Sequence, residues 1–326
     1  MDSLPPLTTS LPSIILPTFH LYAPHLHSAA PTIRSLPPKT SSYGPHPRQQ
    51  LDVYTPPSPS MINNRHAILL IFYSGGFVNG SKTLPMPFLD GLVYANVASF
   101  FALKCGYTVV VADYRLLGDG ARFPSGGEDV AMAVEWVGRN KSGLGLGMGE
   151  SEVDLFLLGN SAGGVHVATF LLRTEFEETR RRVLEGEGTS LRGVVLLSAA
   201  FSFPGTSEGD PATVYLGDVE QHAPSGLLKT ALQGGEGLDF VQAGVRLLVL
   251  TCELDPEELW QSRDEFIKVW TDQVGSSGRA ALAVDVVKGH NHISPMLALG
   301  TETEKEEAWG YQVASFCDNI RKYTLS

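Results

Sequence analysis

The chain has 326 residues, with 24 Lys plus Arg against 35 Asp plus Glu, a formal net charge of −11. So acidic a chain is a poor candidate for binding phosphate backbones, which takes clustered basic charge, and no nucleic-acid partner is expected. With 43% hydrophobic and 18% charged residues the composition is that of a core-rich globular protein, long enough for one large domain or two modest ones.

Residues 1–48 carry ten of the 21 prolines. They predict an irregular proline-rich arm with at most one short strand, around Phe19–Tyr22. From Gln50 the pattern changes. Gln50-Leu-Asp-Val-Tyr54 alternates as a half-buried strand does, and Pro56, Pro57 and Pro59 end it. Ala67–Tyr73 is a short continuous apolar run of the kind that forms a strand buried on both faces. A helix over Leu92–Cys105, a strand over Tyr107–Ala112 and a helix over Glu128–Arg139 follow. The spacing then predicts a strand over Val153–Leu158 and a helix from Ala162 to about Glu178, whose Arg180-Arg181-Arg182 reads as a solvated end. Strands over Gly193–Ser198, Val245–Thr251 and Leu282–Val287 come next, with helices from Pro256 to about Val274 and from Thr303 to about Tyr323. Alternating strands and helices imply an α/β fold, a mostly parallel central sheet with helices on both faces. Residues 49–326 are therefore expected to form one domain.

Two stretches break the rhythm. Ser142–Ser151 is glycine-rich but fits neither nucleotide-binding glycine pattern, so a plain loop is expected. Residues 201–242 are too long for a simple connection and contain Pro204, Pro211 and Pro224. They are expected to form a small lid above the sheet, with a helix near Ser225–Leu232.

The chemistry begins at Gly159-Asn160-Ser161-Ala162-Gly163, a G-x-S-x-G between an apolar strand and a helix. Alone this pattern is weak. In that context it predicts a nucleophile elbow, a tight turn that lifts Ser161 out of the sheet's C-terminal edge. Upstream, Tyr73-Ser74-Gly75-Gly76-Phe77 follows a buried strand. Glycines there can turn backbone N–H groups toward an oxyanion, joined by the N–H of Ala162. Serine needs a histidine to take its proton and an acid to orient that histidine. Asp255 in Thr-Cys-Glu-Leu-Asp-Pro and His292 in Gly-His-Asn-His-Ile lie after the last strands, in the order serine, acid, histidine. Glu253 and His290 are the competing acid and base. His290-x-His292 is also a potential metal pair but lacks a third ligand at a recognisable spacing. His166, on the helix after the elbow, reads as a packed residue.

At these residues the chain resembles the α/β-hydrolase fold, in the branch of hormone-sensitive-lipase-like carboxylesterases and kynurenine formamidases. That branch carries His-Gly-Gly-Gly-[Phe/Trp], then Gly-[Asp/Asn]-Ser-Ala-Gly-Gly, then a late Asp and His. Asp113-Tyr-Arg-Leu116 followed by Phe123-Pro124, and Asn291-His292-Ile293, are similar to its segments too, the latter favouring His292. The resemblance runs from about Tyr43 to Ile320. It implies a triad of Ser161, Asp255 and His292, with oxyanion donors on Gly75, Gly76 and Ala162. The chain departs from it where Tyr73-Ser74 replaces His-Gly. That leaves Tyr73 either supporting the loop in the histidine's place or reaching the substrate with its hydroxyl, and Ser74 and Phe77 as further candidate substrate contacts.

The implied activity is hydrolysis of an ester or amide of a small organic molecule through an acyl-enzyme, without cofactor or metal. Two alternatives stand beside it: a non-hydrolytic biosynthetic step such as cyclisation or isomerisation, and a non-catalytic receptor on the same fold. Cys105, Cys252 and Cys317 form no CxxC and suggest a reduced, cytoplasmic setting. No apolar run reaches the ~18–20 residues of a membrane helix. Ile14-Ile15-Leu16, hemmed in by Pro12 and Pro17, makes no secretion signal. The partner expected is the small-molecule substrate, with a homodimer left open.

Overall fold

The computed structural model describes residues 3–4, 9–146, 152–184, 188–233 and 238–323. Parts of three expected segments fall outside them: 1–2 and 5–8 of the arm, 147–151 of the glycine-rich loop and 234–237 of the insertion.

Nine strands of the described residues form one sheet. They are β1 (Lys39–Ser42), β2 (Gln50–Tyr54), β3 (Met61–Ile62), β4 (Arg65–Phe72), β5 (Thr108–Ala112), β6 (Glu152–Asn160), β7 (Thr189–Leu197), β8 (Arg246–Leu254) and β9 (Leu282–Asn291). The order is β1-β2-β5-β4-β6-β7-β8-β9, with β3 hairpinned onto β4. β1, β2 and β3 pair antiparallel; every pair from β5 through β9 is parallel. The central strands are apolar on both faces because helices cover both. Ile68 to Tyr73, in and after β4, have no exposed surface.

The helices are α1 (Leu11–Arg34), α2 (Ala95–Cys105), α3 (Ser125–Arg139), α4 (Ala162–Leu172), α5 (Glu177–Leu184), α6 (Pro211–Leu216), α7 (Val219–His222), α8 (Pro224–Gln233), α9 (Asp239–Gln242), α10 (Glu257–Gln273), α11 (Ser276–Ala281), α12 (Pro295–Ala298) and α13 (Glu304–Tyr323). α1, α2, α12 and α13 pack as one group; α3, α4, α8 and α10 form another. None of them is long and apolar enough to cross a membrane.

The irregular arm is corrected by α1, a helix with three internal prolines. Pro17, Pro24 and Pro31 recur every seven residues, about two turns, so all three lie on one exposed face. The carbonyls that lose a donor, four residues earlier at Ser13, His20 and His27, belong to exposed residues and can bind water instead. The opposite face buries Ile14, Thr18, Phe19, Tyr22, Leu26 and Ile33, at helical spacing. Burial of that stripe outweighs the lost hydrogen bonds.

A second difference follows Ser161. The expected helix to Glu178 stops at Leu172, and α5 starts afresh at Glu177. Arg180 sits at the break, and it is not the solvated residue expected. Its buried guanidinium donates to the carbonyls of Phe170 and Arg173 at 2.7 Å each, and to Asp239 at 2.8 Å. It thereby caps the end of α4.

Candidate active site

The parallel strands end along one edge, where ligands bind in open α/β sheets. Ser161 stands there between β6 and α4 at φ 53° and ψ −118°. A serine with positive φ is strained, and the surrounding packing must hold it. Its N–H donates to Leu197 O at 2.9 Å, and its carbonyl takes the first helical bonds, from Gly164 and Val165. Gly163 is required by contact: a Cβ there would lie 2.2 Å from the Phe72 carbonyl oxygen.

Ser161 Oγ is 2.9 Å from His292 Nε2, and His292 Nδ1 is 2.8 Å from Asp255 Oδ1. The structure thus brings Ser161, His292 and Asp255 into one hydrogen-bonded chain. His292 and Asp255 are both buried. Glu253 points away: it is exposed and takes the N–H of Gly289 at 2.7 Å, which together with Lys288 holds its carboxyl below the usual range. His290 also faces elsewhere, with Nδ1 2.8 Å from Ser294 Oγ, and burial lowers its pKa to about 4. The two histidines of His290-x-His292 therefore engage different partners. Among the described residues there is no group of three or more His, Cys, Asp or Glu fit to hold a metal ion.

Two partners of Asp255 escaped the sequence reasoning. Ser198 Oγ donates to Asp255 Oδ2 at 2.5 Å, and the Cys252 N–H donates to the same oxygen at 2.8 Å. Two donors on one oxygen fix the plane of the carboxylate. Ser198 itself has φ 45°. It lies one residue beyond β7, the strand that pairs with the acid's own.

The loop after β4 divides the candidate oxyanion and substrate residues. Gly76, at φ 59°, and Ala162 line a cavity of about 670 Å³ together with Ser161 and His292. Gly75 is not among the described lining residues. It closes the turn, its carbonyl accepting the N–H groups of Val78 and Asn79 at 3.2 and 2.9 Å, and a Cβ there would sit 1.8 Å from Asn79 O. Phe77 lines the cavity and stacks on Tyr215 of α6 with centroids 4.6 Å apart.

Of the two roles expected for Tyr73, its surroundings fit the support of the loop and not the substrate contact. It is fully buried, and its hydroxyl donates to Asp113 Oδ1 and accepts from Arg48 Nη2, both at 2.7 Å. Its ring stacks on Tyr114, whose hydroxyl donates to the Tyr73 carbonyl at 2.9 Å. A large polar-tipped ring with a buried carboxylate beside it leaves no route for the side chain into the cavity. Ser74 is likewise not among the described lining residues. His166 is packed as expected: wholly buried against Phe77, Tyr114 and Tyr215, with burial lowering its pKa to about 3.

The rest of the cavity comes from three places. The insertion supplies Phe203 and Ala212, α10 supplies Leu259, and Thr9–Pro12 at the start of α1 form part of the rim. Asp210 and Glu258 are the carboxylates on its lining, and no lysine or arginine is among the described lining residues.

Comparison with known proteins agrees with this architecture. The BD-FAE family profile matches residues 51–193, the span holding both the glycine loop and Ser161. Esterase B from Lactobacillus rhamnosis, solved with a C4-C4 SN3 tributyrin phosphonate inhibitor, is similar over 97% of each chain, with TM-score 0.62 and 16% identity. Carboxyl esterase 2 from the mycorrhizal fungus Tuber melanosporum is similar over 87% of this chain and 86% of that one, with TM-score 0.59 and 16% identity. The Francisella virulence factor BioJ is similar over 90% of this chain and 89% of that one, with TM-score 0.59 and 13% identity. No curated protein matches the sequence. The sheet order, the serine turn between β6 and α4, and these likenesses identify the chain as a member of the α/β-hydrolase fold.

Proposed function

We propose that this chain is a serine hydrolase of small, uncharged carboxylic esters, with Ser161, His292 and Asp255 as its triad. The observation that carries this is the unbroken chain Ser161 Oγ–His292 Nε2–His292 Nδ1–Asp255 Oδ1, with links of 2.9 and 2.8 Å, opening onto the cavity. The esterase names of two structural neighbours are in keeping with it.

Ser161 Oγ attacks the ester carbonyl as its proton passes to His292 Nε2. Asp255 holds the Nδ1–H and stabilises the imidazolium. The tetrahedral oxyanion rests on backbone N–H groups of Gly76 and Ala162, with Gly75 keeping the loop in shape. His292 gives its proton to the departing alcohol, leaving an acyl group on Ser161. Water then attacks that acyl group, His292 takes the water's proton, and the acid departs as Ser161 recovers its own. The apolar walls of Phe77, Val165, Ala212 and Leu259 suit the acyl chain.

The absence of lysine and arginine from the described lining supports an ester over a formamide substrate. N-formylkynurenine is a zwitterion: Asp210 and Glu258 can meet its ammonium, but the described lining has no lysine or arginine to receive its carboxylate. Wild type should hydrolyse short p-nitrophenyl esters well ahead of N-formylkynurenine, and Ser161→Ala should hydrolyse neither. Faster turnover of the formamide would replace the ester assignment.

A further inference from the structure

α1 reaches the catalytic histidine by a side-chain contact. Thr18, wholly buried at the middle of α1, accepts a 2.8 Å hydrogen bond from Asn291 Nδ2. Asn291 precedes His292 directly. Its other amide atom, Oδ1, accepts the N–H groups of Ile293 and Ser294 at 3.0 Å each. The Asn291 side chain therefore folds over the turn that leaves His292, with one end on that turn and the other on α1. The two N–H donors require Oδ1 to face the turn, so Nδ2 must face Thr18, and only an acceptor there satisfies it. Asn291 is itself buried, so water is a poor substitute for the threonine hydroxyl. The same helix begins at the cavity, which Thr9–Pro12 line together with Ser161 and His292.

We propose that Thr18 is a positioning residue for His292, acting through Asn291, and that α1 is thereby a working part of the site. This rests on the serine-hydrolase assignment above. Without the hydroxyl, the Asn291 amide keeps a buried unpaired donor and gains freedom to turn. The loop carrying His292 then loses its fixed register against Ser161 and Asp255. The 2.9 Å contact from Nε2 to Ser161 Oγ is the geometry that suffers.

The test compares Thr18→Val, which keeps the shape and removes the acceptor, with Thr18→Ser, which keeps the acceptor. With p-nitrophenyl butyrate as probe, Thr18→Val should lose about tenfold in kcat through misplacement of His292, with KM within about twofold. Thr18→Ser should stay within about twofold of wild type. If Thr18→Val does not fold, Thr18→Ala carries the same comparison. A second readout needs no turnover: the far-downfield proton NMR signal of the His292–Asp255 hydrogen bond. It should broaden or shift in Thr18→Val and persist in Thr18→Ser. An unchanged signal in Thr18→Val, or equal losses in Thr18→Val and Thr18→Ser, overturns the proposal. Wild type without esterase activity but with the signal lost only in Thr18→Val overturns the hydrolase assignment and leaves the positioning role standing.

Discussion

Ser198 Oγ lies 2.5 Å from Asp255 Oδ2, so the carboxylate that orients His292 is itself held from the neighbouring strand. Ser198→Ala removes that donor and leaves the Cys252 N–H on the oxygen. The expected result is about a tenfold fall in kcat/KM, carried by kcat, because hydrogen bonds to charged groups are the strong ones. Steady-state kinetics with a short ester, beside a thermal melt, check it. An unchanged kcat means that the bond is structural only.

Tyr73→Phe separates the two roles open to that tyrosine. Its hydroxyl joins Asp113 and Arg48 under the glycine loop, away from the cavity. Removing it should destabilise the protein by about 1–2 kcal/mol in urea unfolding and lower kcat through a looser loop, with KM little changed. A rise in KM at unchanged stability would make Tyr73 a substrate contact after all.

Much of this was legible in the sequence, for identifiable reasons. The buried run before Tyr73, the small residues around Ser161 and the order serine, acid, histidine each follow from local chemistry. The arm was misread because three prolines outweigh a helical stripe when counted one by one. Their seven-residue spacing, which puts all of them on the wet side of α1, was the missed signal. Arg180 looked solvated among its charged neighbours, yet it turns inward to cap α4. Ser198 and Thr18 were invisible for another reason. Each acts on a residue remote in sequence, 57 positions away for Ser198 and 273 for Thr18, and a lone serine or threonine carries no pattern.

Gly163→Ala tests the packing of the turn that carries Ser161. The added Cβ would meet the Phe72 carbonyl at 2.2 Å, a backbone atom that cannot swing aside. A loss of about 1–3 kcal/mol is expected, as for other overpacked sites, with activity lost in whatever folds. Urea unfolding followed by tryptophan fluorescence measures it. Wild-type stability with full activity would mean that β4 and α4 separate more easily than their contact implies.

Acid should destabilise the fold through His290 and His166. Burial lowers their pKa values to about 4 and about 3, with Glu306 partly opposing the shift at His290. The unfolded histidines bind protons near pH 6.5 while the folded ones do not. Stability is therefore complete above that value and falls as pH drops toward 4, the unfolded state binding more protons. Urea midpoints at pH 7, 5.5 and 4.5 should decline in that order. His290→Asn should flatten part of the decline, and an unaltered slope would remove His290 from its cause.

The most direct measurement is covalent labelling of the folded protein with a fluorophosphonate, read by intact mass and peptide mapping. Wild type should gain one label, on the peptide carrying Ser161, while Ser161→Ala gains none. A folded wild type that stays unlabelled, or a Ser161→Ala variant labelled as fast as wild type, would contradict the assignment of Ser161 as the nucleophile.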